Sequence, residues 1–395
     1  MEYKFSNRIS SLQPSLIREI LKATSDPGVI PFAAGNPAPD AFPIEKISQI
    51  TRDIFASDPI GALQYSITEG YPALRAACRD LVENHYGVPM AENELIIITG
   101  AQQGADLTCK ALVNEGDTVI CEDPSFIGCL NAFRSYGAKL VGIPMEEDGM
   151  DVAKLEYALK NHPNTKLIYT IPNFQNPSGI TTSLKKRQEI LRLAEKYGVM
   201  VMEDNPYGDL RFSGEAVPSI KSMDKNGHVV YVGSFSKILA PGLRVAFAVA
   251  PKPLIAKMTV GKQCADVHTT ILTQMICERF LATCDLTAHI QKISDIYRKK
   301  CQLMIDCIDR EFSPKVTHTN PEGGLFLWCT LPEGADMLDF CQRAVQAKVA
   351  VVPGVAFLAD ETTPCRSFRM NFSTPTDENI IKGVSILGKL TKELY

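Results

Sequence analysis

The stretch TKLIYTIPNFQNPSGITTSLKKRQEILRLAEKYGVMVMED, residues 165–204, decides the fold. TKLIYTI (165–171) and VMVMED (199–204) are short, continuous apolar runs of strand length, without the polar alternation of a half-exposed strand. Between them TSLKKRQEILRLAEKYG reads as an amphipathic helix. Strand, helix, strand is a crossover unit, and it places the two strands parallel in a sheet buried on both faces.

The same rhythm extends in both directions. ELIIIT (94–99) precedes the helix-like QQGADLTCKALV, DTVICE (117–122) leads into FIGCLNAFRSYG, and HVVYVGS (228–234) and RVAFAVA (244–250) follow. The expectation is an α/β fold with a mainly parallel central sheet flanked by helices. After about residue 250 the pattern turns to long helical material, above all LTAHIQKISDIYRKKCQLMIDCIDREF (286–312), and then to isolated apolar segments such as GGLFLWCTL and SFRMNFS. Three parts are expected: an N-terminal arm and loop over 1–43, a large α/β domain over 44–285, and a smaller α+β domain over 286–395.

Composition narrows the function. The 395 residues are 45% hydrophobic and 22% charged, with a formal net charge of −4, which gives no reason to expect a nucleic-acid partner. The longest nearly apolar run, VAVVPGVAFLA (349–359), is too short for a bilayer and contains Pro353, so no membrane association is expected. The N-terminus MEYKFSNRISSLQPS lacks the apolar stretch of a secretory signal. The twelve cysteines contain no C-x-x-C pair and lie mostly in apolar or helical patterns, as reduced residues of a cytoplasmic protein would. The six histidines show no ligand spacing, and no metal site is expected.

In open α/β sheets ligands bind beyond the carboxyl ends of the strands. After ELIIIT comes GAQQG, where Gly100 permits a tight turn and the N–H groups of Ala101 and Gln102 open a helix suited to an anion. Taken alone this is a plain strand-to-helix turn. After TKLIYTIP comes NFQNPSG, in which Asn176 is either a turn residue or a side-chain donor. After VMVMED comes NPYGD, with Asp204 as a strand-end carboxylate or helix cap and Tyr207 three residues on. GSFSKILAPGLR (233–244) sets Lys237 among Ser234, Ser236 and Arg244, and on an extended segment the two hydroxyls share a side. An amine beside phosphate-binding hydroxyls and a guanidinium fits a phosphorylated carbonyl cofactor, pyridoxal phosphate. Its ring nitrogen calls for Asp204, its phenolic oxygen for Tyr207 and Asn176, its phosphate for the Gly100 turn with Ser234, Ser236 and Arg244, and its aldehyde for Lys237.

The segments SLIREIL, FAAGNPAPDAFP, QYSITEGYPALR, TGAQQGADL, EDPSF, PNFQNPSG, MEDNPYGDLRF, GSFSKILAPGLRVAF and FRMNFS, in that order, cover nearly the whole chain. In them the chain resembles the fold-type-I pyridoxal-phosphate enzymes of the class I/II aminotransferases, and within these the aminoadipate, aromatic and kynurenine-type subgroup. The resemblance implies a transaminase that moves the amino group of an aromatic, branched-chain or aminoadipate-like amino acid to a 2-oxo acid such as 2-oxoglutarate, through a Schiff base at Lys237. It also implies that Phe126 stacks on the cofactor ring and that Arg369 grips the substrate carboxylate, with Gly35 and Asn176 beside it. Tyr65 would reach the phosphate of the neighbouring subunit in a homodimer with shared active sites. Arg18 is placed like a family arginine that meets long or acidic substrates, or else is a solvated helix-face charge. Ala101 departs from relatives that carry a serine there. The same fold also hosts β-lyases and decarboxylases, which remain the alternative. A regulator with an aminotransferase-like domain would need a DNA-binding domain ahead of PFAAGNPAPDAFP, which begins at residue 31.

Overall fold

The computed structural model describes residues 3–10, 12 and 28–395. Its first nine strands are β1 (Ile30–Pro31), β2 (Asn93–Ile98), β3 (Thr118–Asp123), β4 (Lys139–Glu146), β5 (Gly149–Met150), β6 (Thr165–Thr170), β7 (Met200–Asn205), β8 (Val229–Ser234) and β9 (Ala246–Pro251). Eight of them form one sheet in the order β2-β9-β8-β7-β6-β3-β4-β5. Strands β8, β7, β6, β3 and β4 run parallel, while β9 is antiparallel to both β2 and β8. The α/β expectation with a mainly parallel sheet therefore holds. The reversal at β9 has a simple cause: the 235–245 connection from β8 contains no crossover helix, so the chain returns alongside in the opposite sense.

The continuous apolar runs are explained by layers on both faces. Val119, Cys121, Leu167, Tyr169, Met202, Val230 and Val232 enter one core, which reaches into the C-terminal region. Their strand neighbours Ile120, Ile168, Val201 and Val229 enter a second core beneath the helices Val152–Asn161 and Leu184–Tyr197. The sequence pattern gives no sign of β4, whose side chains are largely half-buried or exposed.

Beyond β9 lie β10 (Thr317–His318), β11 (Phe326–Thr330), β12 (Val349–Ala350), β13 (Val352–Pro353) and β14 (Ser367–Asn371). Four of these make an antiparallel sheet in the order β10-β11-β14-β13. The long helix Leu286–Glu311, capped by Asp285, packs along the terminal helix Asp377–Leu394. Near the start of the chain, β1 pairs in parallel with β12, Ile30 opposite Val349, and the Asn371 N–H donates to Phe32 O at 2.8 Å. Among the described residues no helix is long and apolar enough to cross a membrane. All twelve cysteines are free thiols, mostly buried.

One buried cation shapes the loop after β6. Arg187, fully buried on the Leu184–Tyr197 helix, donates to the carbonyls of Thr182, Val217, Pro218 and Pro172 and to Asn173 Oδ1, at 2.7–3.2 Å. Burial holds its guanidinium down to about 10, still a cation at neutral pH. Arg187→Leu should strand these acceptors and cost about 2–5 kcal/mol of unfolding free energy, read from urea denaturation.

Candidate active site

The loops following β2, β3, β6, β7 and β8 meet around a cavity of about 390 Å³. Among its lining residues are Gly35, Ala101, Gln102, Phe126, Asn176, Asp204, Tyr207, Ser234, Ser236, Lys237, Arg244 and Arg369. Residues from five strand ends, an N-terminal loop and β14 thus converge, as the position of ligands at the carboxyl edge of α/β sheets requires.

At one end Gly100 has φ +77°, and a Cβ there would collide with the Arg244 guanidinium. The helix Ala101–Leu112 starts at this turn, where Gly100 adjoins the Arg244 guanidinium. Ser234 ends β8, but Ser236 lies in the turn that follows, with its N–H bonded to Ser234 Oγ at 3.1 Å. The two hydroxyls therefore share the cavity because the chain turns there, which corrects the expectation from strand alternation.

Lys237 Nζ donates to Gly35 O at 2.8 Å. Burial, with the Arg369 and Arg244 charges adding to it, lowers its ammonium to about 8. Asp204 is 3% exposed, and one oxygen accepts from Tyr169 OH at 2.9 Å and lies 3.9 Å from Cys129 Sγ. Its other oxygen has no hydrogen-bond partner, and burial pushes the carboxyl up to about 6. An orphaned carboxylate oxygen at a cavity wall is what a protonated ring nitrogen would satisfy.

Asn176 Nδ2 donates to Tyr207 OH at 3.3 Å, and Asn176 Oδ1 accepts from Arg369 Nη1 at 2.8 Å. Arg369 is 4% exposed and also donates to Ala33 O at 2.9 Å. Its guanidinium lies 4.3 Å from the Phe326 ring centre and 5.0 Å from that of Phe357. Burial lowers it to about 10, so it remains a cation, and among the described residues it has no acidic partner and its Nε is unbonded. A buried cation at a cavity wall with an unbonded N–H can receive a carboxylate.

Residues 27–387 match the family described as aminotransferase class I and II. The chain belongs to that family. It is 38% identical to aromatic-amino-acid aminotransferase 1 of Thermococcus litoralis, over 99% of this chain and 95% of that protein. The crystal structure of Pyrococcus horikoshii kynurenine aminotransferase superposes with a TM-score of 0.95, at 36% identity over 98% of this chain and 97% of that one. That of the α-aminoadipate aminotransferase of Thermus thermophilus, complexed with N-(5′-phosphopyridoxyl)-L-leucine, superposes at 0.90, with 37% identity over 99% of this chain and 97% of that one. The enzyme is thus a pyridoxal-phosphate-dependent aminotransferase of fold type I, and the lyase and decarboxylase alternatives give way to transamination.

One expected residue stands apart from the cavity, and another lies outside the described residues. Tyr65 is 83% exposed, its ring 5.8 Å from His268, and does not line the cavity of its own chain. Arg18 lies outside the described residues. Sequence reasoning missed Tyr169, Cys129, Phe326 and Phe357. Each sits in a mainly apolar stretch that reads as core or helix, so its own residue type gives no sign of a polar role.

The Asp204 carboxyl binds its proton more tightly in the fold than unfolded, so its ionisation opposes folding. That cost grows between about pH 4 and 6 and is fully present above, at about 3 kcal/mol for a shift of this size. Asp204→Asn should make the cofactor-free protein more stable than the parent at pH 7, by about half as much at pH 5, and little different at about pH 4 and below, by chemical denaturation at each pH, while the variant loses most of its turnover.

Proposed function

We propose that the enzyme takes the amino group from an aromatic, branched-chain or aminoadipate-like amino acid and delivers it to a 2-oxo acid such as 2-oxoglutarate. One observation carries this reading. Among the described residues three cations line the cavity, and once Lys237 and Arg244 are assigned to the cofactor, Arg369 alone is left for a substrate carboxylate. The surrounding wall of Ala33, Ile127 and Phe326 is apolar and suits an uncharged side chain.

The residues present fit pyridoxal phosphate. In this reading Asp204 holds the ring N–H through its free oxygen, and Tyr207 and Asn176 face the phenolic oxygen. Ser234, Ser236, Arg244 and the N–H groups of Ala101 and Gln102, next to Gly100, receive the phosphate, and Phe126 covers the ring. When bound, the cofactor supplies an aldehyde that condenses with amines and a ring that draws off electrons from the substrate's α carbon. Lys237 would be the proton carrier: with its amine neutral above about pH 8 it would take the proton from the substrate's α carbon as a base and deliver it as an acid to the carbon of the cofactor's former aldehyde. Arg369 and Asn176 fix the α-carboxylate, which amino acid and oxo acid share, so one grip serves both halves of the exchange.

The reading includes a homodimer in the cytoplasm. Ile60, Leu63, Tyr65 and Ile67 expose an apolar run whose burial by a second copy would bring Tyr65 to the partner's phosphate site. The free cysteines suit a reducing compartment. Arg18 remains the proposed contact for acidic or long side chains.

An absorbance scan tests the substrate class. The cofactor's visible band should bleach with a single amino acid and return with a 2-oxo acid, fastest for aromatic or branched-chain donors. Lys237→Ala should show neither the band nor turnover; full activity in that variant would sink the assignment. Tyr65→Phe should weaken cofactor retention about tenfold if the hydroxyl serves a phosphate, measured by equilibrium dialysis. Sedimentation should show two chains per particle.

A further inference from the structure

Arg369 is held from two sides by loops that belong to different strands. On one side is Asn176, in the 172–182 segment after β6. On the other is the Phe357 ring, whose backbone is tied to the loop after β3: Ser125 N–H donates to Phe357 O at 2.7 Å, and Ala359 N–H to Asp123 Oδ1 at 2.9 Å. The two loops are joined by a buried pair of side chains. Gln175 Nε2 donates both to Pro124 O at 2.7 Å and to Glu122 Oε2 at 3.1 Å, and Gln175 Oε1 accepts from the N–H and hydroxyl of Ser178 at 2.9 and 2.7 Å. Glu122 also accepts from Ile171 N–H at 3.1 Å and from the Thr170 hydroxyl at 2.5 Å. Both residues are fully buried, and neither lines the cavity.

We propose that Glu122 and Gln175 are positioning residues for the substrate carboxylate: they fix the separation of the 172–182 segment from the loop after β3, and through the backbone bonds of that loop to the Phe357 segment they set Asn176 and Phe357 on either side of Arg369. The proposal rests on the reading of Arg369 as the carboxylate site. It follows from a count of donors and acceptors. Every bond of Glu122 is to a neutral donor, so the group acts as a template of acceptor positions rather than as half of an ion pair. Gln175 bonds within its own loop and to the loop after β3 at once, and it precedes Asn176 directly. If its amide is lost, the Pro124 carbonyl and the Glu122 oxygen lose a donor, and the loops can separate by the small distances that carboxylate binding does not tolerate.

The experiment compares steady-state kinetics with equilibrium binding of 3-phenylpropionate, a carboxylate without an amino group, followed by the cofactor's visible band in the loaded enzyme. Gln175→Met and Glu122→Leu should each raise KM for amino acid and oxo acid, and Kd for 3-phenylpropionate, by about tenfold, with kcat changed less and cofactor content unchanged. The double variant should be no worse than either single one. Glu122→Gln should stay within about twofold of the parent. Its oxygen keeps Ile171 and Gln175, and its NH2 donates to a rotated Thr170 hydroxyl. If Glu122→Leu does not fold, Gln175→Met decides. Unchanged KM and Kd in Gln175→Met, or Glu122→Gln as impaired as Glu122→Leu, overturns the proposal. Arg369→Lys is measured in parallel. Loss of binding there but not in Gln175→Met removes the positioning role alone, whereas no loss in Arg369→Lys removes the carboxylate reading beneath it.

Discussion

Parallel pairing is the constraint from which the site follows. A strand can run beside its predecessor in the same direction only if the chain crosses back over the sheet, so every parallel strand ends on the same edge. Strands β8, β7, β6 and β3 obey this rule, and β2, reversed twice through β9, ends there too. Loops far apart in sequence are thereby delivered to one place. The helices that make the crossovers also bury both faces of the sheet, and only the loops at its edge remain free to carry polar chemistry.

The charges at that edge differ from the buried ion pairs of the protein, and also from Arg187 and Glu122, because Asp204 and Arg369 each keep a buried polar atom with no hydrogen-bond partner. Lys221 and Asp224 are fully buried, but each has the other at 2.8 Å, and Lys262 has Asp266 at the same distance. Among the described residues Asp204 and Arg369 have no such partner. Each is supported by neutral groups, Tyr169 for one, Asn176 and two aromatic rings for the other. Burying an uncompensated charge opposes folding, and a ligand of opposite charge relieves that cost. The cavity is in this sense incomplete as protein, with its missing charges prescribed: a cation beside Asp204 and an anion beside Arg369.

Much of this was legible in the sequence because glycine, proline and polar residues placed after apolar runs mark strand ends. That rule located Gly100, Asn176, Asp204, Tyr207 and Lys237 without any knowledge of contacts. What it missed is equally physical. Strand β4 carries too much exposed surface to produce an apolar signal. Tyr169 and Phe326 look like ordinary core residues, since a side chain that supports a polar group from behind is itself surrounded by apolar neighbours. Glu122 reads as one more acid at a strand end, and only the structure shows its carboxylate turned inward under neutral donors. Tyr65 carries the opposite lesson, since a single chain leaves it in solvent.

The pairing of β1 with β12 bears on how the enzyme is made. Ala33, Gly35 and Asn36, near the start of the chain, share the cavity with Arg369, near its end. A ribosome emits the large sheet complete once β9 has cleared the exit tunnel, but β1 has no partner until β12 follows, and the Arg369 wall waits for β14. A nascent chain can thus fold most of its core while its cavity still lacks a side. Truncated products that end before residue 367 would carry Lys237 and the Gly100 turn yet lack Arg369 and the strand that closes the cavity, so the last thirty or so residues decide whether a synthesised molecule has a complete site.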